Sequence, residues 1–162
     1  MQIYLSGYGK FRILTPDGTR QLDRASILVG TPDAAVYDFN TDVNTILEAT
    51  TNVATPSLSD IEITGAYGRD ASSSLPDVKQ KINAYGWTDK AFSIVKFNVT
   101  NNATTEITAN IGLDIIPQLA GGYEDTITYN STAGVIRYHF GAGTPNVGVK
   151  LLSATMTSLY SF

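Results

Sequence analysis

Apolar and polar residues alternate through residues 92–114. Val95, Phe97 and Val99 share one parity, and Ile107, Ala109, Ile111 and Leu113 share another, while Lys96, Asn98, Thr108 and Asn110 fall between them. Side chains on a strand alternate between its faces, so the pattern predicts two strands, residues 92–100 and 106–114. The polar run Asn101-Asn102-Ala103-Thr104-Thr105 would join them as an antiparallel pair with one wet face. The stretch carries no nucleophile, metal cluster or phosphate loop. It speaks to the class of fold and not to chemistry.

Similar alternation, punctuated by turn signals about every ten residues, runs along the rest of the chain and predicts an all-β sandwich or barrel. Phe11 and Ile13 lead into Thr15-Pro16-Asp17-Gly18, where Pro presets φ and Gly accepts a positive φ. A strand through Leu22, Ile27 and Val29 follows, then one through Ile61, Ile63 and Tyr67 that is closed by the polar loop at residues 69–74. Val78, Ile82 and Ala84 have period two, so residues 78–85 read as a strand, although Pro76 followed by Asp77 would also open a helix. Further strands are expected near Ile127, through Ile136, Tyr138 and Phe140, and over residues 147–156; residues 44–50 read as one short helix. The expectation is a single antiparallel β-sandwich domain over residues 1–162, possible helix included. The apolar, unclosed stretch from Leu151 to Phe162 suggests a domain cut from a longer chain, or a last strand that pairs with something.

A chain of 162 residues is long enough to bury a real core, since about two-thirds of the unfolded surface leaves water at this size. The absence of cysteine removes a disulfide framework and a thiol nucleophile. A net charge of −4, with 11 scattered basic residues, argues against nucleic acid, which needs clustered Lys and Arg. No apolar run approaches the roughly 18 to 20 residues that span a bilayer, so no membrane span is expected. The charged fraction of 16% lies below the usual quarter or so, and the excess of Thr, Asn, Ser, Gly and Tyr points to an extracellular or cell-surface protein. Asn98, Asn102 and Asn130 each begin a glycosylation sequon, a pattern that Asn- and Thr-rich turns also generate by chance.

Leu28-Val29-Gly30 after an early strand-turn-strand, the run from Phe92 to Asn102, and Ile111-Gly112-Leu113-Asp114 together resemble the N-terminal or ancillary β-sandwich domains of large secreted bacterial multidomain proteins. The resemblance spans residues 28–152. It implies an accessory module that binds carbohydrate or packs against neighbouring domains, and it carries no catalytic residues.

Three constellations bear on chemistry. Asp38, Asn40 and Asp42 place oxygen side chains at every second position, as the first ligands of a calcium loop do. Val43 stands where the sharp turn wants Gly, and Glu48 comes one residue early for the bidentate carboxylate; in an extended segment the same spacing is a solvated face, the preferred reading. Tyr85-Gly86-Trp87 holds the only Trp, and Tyr67 and Tyr123 are read as sitting in loops or at strand ends. Planar side chains beside carboxylates suit sugar rings, whose C–H faces stack while their hydroxyls need partners. Trp87, Tyr85, Tyr123, Glu124 and Asp125 are therefore the candidate ligand-binding set, against the blander possibility that Trp87 plugs the core. For glycoside hydrolysis, Asp114 with Glu124 or Asp125 would be the pair of carboxylates. His139, the only His, lies on a strand and has no nucleophile elbow to serve.

These readings converge on a non-catalytic accessory module with a polysaccharide as ligand. The alternative is a structural or assembly domain of a surface, adhesin or virion protein, contacting other protein through strand edges. A glycosidase fragment ranks third.

Overall fold

The computed structural model describes residues 1–33, 36–38, 43–70, 73–123, 125–141, 146–153, 156 and 159, with the backbone alone at 43 and 44. The described chain is all-β. Its strands are β1 (Gln2–Leu5), β2 (Phe11–Leu14), β3 (Arg20–Gly30), β4 (Val36–Asp38), β5 (Val43–Asn52), β6 (Ile61–Arg69), β7 (Val78–Gly86), β8 (Ser93–Asn101), β9 (Asn110–Pro117), β10 (Thr126–Asn130), β11 (Val135–His139) and β12 (Asn146–Lys150), with one 3₁₀ turn at Leu119–Gly121. No described helix is long and apolar enough to cross a membrane.

Every pairing is antiparallel. Sheet A is built around β3. Along one edge β3 meets β2 over its first half and β4 at Leu28, Val29 and Gly30, and β9 runs along the opposite edge from Leu22 to Gly30. Sheet B has the order β5-β6-β7-β8, and a third sheet has the order β10-β11-β12. Period two appears most plainly in β7, where Val78, Gln80, Ile82, Ala84 and Gly86 are buried and the residues between them are half-exposed. Phe11, Ala25, Ile27, Val29 and Tyr37 from sheet A meet Tyr67, Val78, Ile82 and Ala84 from sheet B in one core, the packing of a β-sandwich. Leu119, Tyr138 and Val147 form a smaller cluster that joins the third sheet to Ile115 of β9.

Several expectations change. The two alternating runs at residues 92–114 are strands, but β8 and β9 do not pair: β8 closes the edge of sheet B and β9 the edge of sheet A. The joining segment is tied down locally, where the Asn101 side chain donates to the Thr105 carbonyl at 2.7 Å and the Asn102 amide N–H donates to the Asp77 carbonyl at 2.9 Å. The chain then crosses from one sheet to the other. Ile111 and Leu113 pair with Val29 and Ile27, on the core side of sheet A, yet remain 55% and 38% exposed because β9 lies at the edge. Ala109 is exposed and precedes the strand, and Ile107 packs on the core.

Residues 44–50 lie in β5, not in a helix; β5 is an edge strand whose register with β6 shifts three times, and pairing with β6 overrides the helical preference of Leu47, Glu48 and Ala49. The last strand ends at Lys150, with Leu151 and Leu152 exposed. The expected pairing of the segment beyond them falls largely outside the described residues.

Candidate functional site

The register of sheet B places its outward side chains in rows. Tyr85 lies opposite Glu62 on one side and Ile94 on the other; Asn83 lies between Thr64 and Lys96; Lys81 lies between Ala66 and Asn98; and Lys79 lies between Gly68 and Thr100. Trp87 and Phe92 continue the same parity one step past the paired ends, and their ring centroids are 5.1 Å apart. The face from Lys79 to Trp87 is about 27 Å long at the usual rise per strand residue. It is aromatic and apolar at one end, at Trp87, Phe92, Tyr85 and Ile94, and carries amides and ammonium groups along the rest.

Local sequence chemistry holds both halves in place. At the aromatic end the Asp60 carboxylate accepts from the Thr88 amide N–H at 2.9 Å and the Thr88 hydroxyl at 3.0 Å, pinning the turn that separates Trp87 from Phe92. These bonds hold the Asp60 carboxyl below the usual range. Phe92 is 50% exposed and Trp87 is half-buried. Tyr85 is half-buried, and burial first and the Glu62 charge second push its phenol up from its ordinary value. In the next row Asn83 donates both amide N–H groups, to Glu62 Oε1 at 2.8 Å and Thr64 Oγ1 at 3.3 Å, which leaves the amide oxygen as an acceptor. Further along, Glu48 accepts from Lys81 at 2.8 Å and from Lys79 at 3.4 Å, and these hydrogen bonds hold its carboxyl below the usual range.

Of the residues singled out in the sequence, the structure brings Tyr85 and Trp87 onto this one face. Tyr123, 61% exposed, and Asp125 precede β10 beside the third sheet, and no described hydrogen bond or ring contact joins them to Trp87. Glu124 lies outside the described residues. Tyr67 is neither in a loop nor exposed; it is fully buried in β6. Phe92, Asn83 and Lys96 belong to the face but were not singled out as ligand residues. Their signal was the alternation of Phe92, Ile94, Lys96 and Asn98 opposite the half-buried Val95, Phe97 and Val99.

The remaining candidates are scattered. Asp38 ends β4, where the Ser26 hydroxyl reaches its carboxylate at 3.4 Å; Asn40 and Asp42 lie outside the described residues. No three His, Asp or Glu side chains among the described residues gather where a metal could bind. Asp114 faces the Asp38 side of sheet A, and its carboxyl is raised by burial and then by the Asp38 charge, with Arg24 partly offsetting both. The carboxylate oxygens of Asp125 are buried without a hydrogen bond of good geometry; burial raises that carboxyl, while the Leu119 N–H and His139 pull it back. His139 sits in β11 between Thr126 and Asn146. A shallow open cleft lined by Thr31, Asp33, Ser74 and Glu106 includes neither Trp87 nor Tyr85.

No protein-family model matches the chain, and neither a curated protein nor a solved structure matches it.

Proposed function

We propose that the chain is a non-catalytic accessory module of the cell surface or extracellular space that binds a polysaccharide along the outer face of sheet B. The observation that carries this reading is the continuity of the Trp87–Phe92 pair and Tyr85 with the hydrogen-bonding rows of Asn83, Lys96, Lys81 and Asn98. Rings stack on the C–H faces of sugars, and amides and ammonium groups supply partners for hydroxyls, so a face holding both in sequence suits an extended glycan. A site on paired strands also has its backbone held in register before binding, which reduces the ordering that association requires.

The test is native electrophoresis through gels containing a panel of plant, algal and bacterial polysaccharides, beside Trp87→Ala and Phe92→Ala. Retardation by one glycan, lost in both variants with an unchanged circular dichroism spectrum, is the expected result. If no glycan retards the protein, the reading fails.

A second reading, a structural or assembly domain, is favoured by the outer edge of β9, which pairs with no strand but β3 among the described residues and where Ile111 and Leu113 remain partly bare on the core side. It requires self-association or capture of a strand that Ile111→Lys abolishes.

A further inference from the structure

We propose that the polysaccharide taken by this face is anionic, with its carboxylate held by Lys96; this rests on the face being a glycan site. The charges on the face are unevenly paired. Three lysines, Lys79, Lys81 and Lys96, stand with three carboxylates, Glu48, Glu62 and, at the aromatic end, Asp60, which accepts from Thr88. Glu48 takes both Lys79 and Lys81, and Glu62 accepts from Asn83. Lys96 has no carboxylate partner among the described residues, although it belongs to a protein whose net charge is −4. In a molecule with acidic groups to spare, an ammonium without a carboxylate partner makes its own row of the face a local site that attracts an anion.

Its position is as telling as its charge. Lys96 lies two residues from Ile94 on β8, about 7 Å along the strand, and directly across from Asn83. A uronic acid ring stacked on the row of Tyr85 and Ile94 would direct its carboxylate to the Lys96 ammonium in the next row. The Asn83 amide oxygen, directly across from Lys96, and the Asn98 amide, in the next row along β8, then take the ring hydroxyls. A neutral sugar would leave Lys96 without a counter-charge, so the arrangement discriminates by charge rather than by shape.

The experiment uses the full chain in native gels containing polygalacturonate or its methyl-esterified form, at low and moderate salt, with Lys96→Gln and Trp87→Ala alongside and circular dichroism to confirm folding. Expected are retardation by polygalacturonate that weakens with salt and with esterification, and an apparent dissociation constant raised about threefold to fivefold by Lys96→Gln, the scale of one exposed ion pair. Equal retardation by both polymers that depends on Trp87 but not on Lys96 overturns the anionic inference and leaves the glycan reading standing. Retardation by neither polymer also overturns it, and the wider panel then decides the glycan reading separately.

Discussion

The hydroxyl end of the Tyr67 ring lies against Gly65, two residues back on the same strand, so closely that a β-carbon at Gly65 would stand 2.7 Å from the tyrosine Cζ. On the other side, a β-carbon at Gly9 would meet the Cε2 atom of the same ring at 2.7 Å, and Gly9 has a φ of +81°. Two glycines thus make the slot that a fully buried tyrosine fills. Gly65→Ala is expected to destabilise the protein by about 2–3 kcal/mol, read as a lower urea midpoint, because the ring can move only into packed core. Gly18, at φ +89° with open space around it, supplies the control: Gly18→Ala meets only backbone strain and costs about 1 kcal/mol.

The Tyr67 hydroxyl meets Thr50 Oγ1, which donates onward to the Ser6 carbonyl at 2.8 Å. A threonine hydroxyl has one proton, so Tyr67 is the donor in the first bond, a role that only a neutral phenol can fill. Burial raises its pKa above the ordinary 10.0. The unfolded chain therefore ionises first as the pH climbs. Stability is expected to be fully present below pH 10 and to fall as the pH rises from there through the folded-state value. Tyr67→Phe should lose about 1 kcal/mol at neutral pH and show a shallower alkaline decline in thermal melts.

Asp23 accepts from Arg20 at 3.0 Å and lies 3.8 Å from Arg12, whose Nε also donates to the Asp23 carbonyl at 2.8 Å. This carboxylate is largely buried where the register of β2 and β3 slips. Asp23→Ala is expected to cost about 1–3 kcal/mol, since two guanidiniums lose a charged partner. The exposed Lys90–Asp89 pair is shorter, at 2.7 Å, yet Asp89→Ala should change stability by less than about 0.5 kcal/mol. Chemical denaturation of the two variants separates burial from distance as the deciding factor.

Asp114 behaves in the opposite sense to a paired carboxylate. Burial and the nearby Asp38 raise its pKa above 3.8, so protonation favours the folded state. Its contribution is present at acid pH and is lost as the pH rises through the folded-state value. Asp114→Asn should therefore be at least as stable as the wild type at pH 7, and its advantage should shrink as the pH approaches 4. Melting temperatures across that range check the sign.

Fold class was legible because alternation reports burial directly, and in β7 it overrode the helix-like opening at Pro76. Pairing was not legible. The runs at residues 92–114 are close in sequence and alternate well, but Ile111 pairs with Val29 on a strand far back in the chain, while Phe97 pairs with Ile82 of the strand just before it. β5 hid behind Leu47, Glu48 and Ala49 because an edge strand with three register shifts shows little alternation. At the site, Tyr85 and Trp87 stood out as residue types, whereas Phe92 and Lys96 gained meaning only from the register that sets them opposite Trp87 and Asn83. Tyr123 and Asp125 share the chemistry of the set and not its place.

The arrangement of sheet A also sets a timetable for synthesis. β3 is buried on both faces, yet its long partner β9 ends the pairing at Gly30 with Asn110, eighty residues downstream. At 5–20 residues per second a ribosome takes roughly 4–16 s to deliver that partner. For that interval the most deeply buried strand of the sheet has only β2 and β4 beside it, which makes the nascent chain, more than the finished protein, the form in which β3 is open to a chaperone or to misassembly.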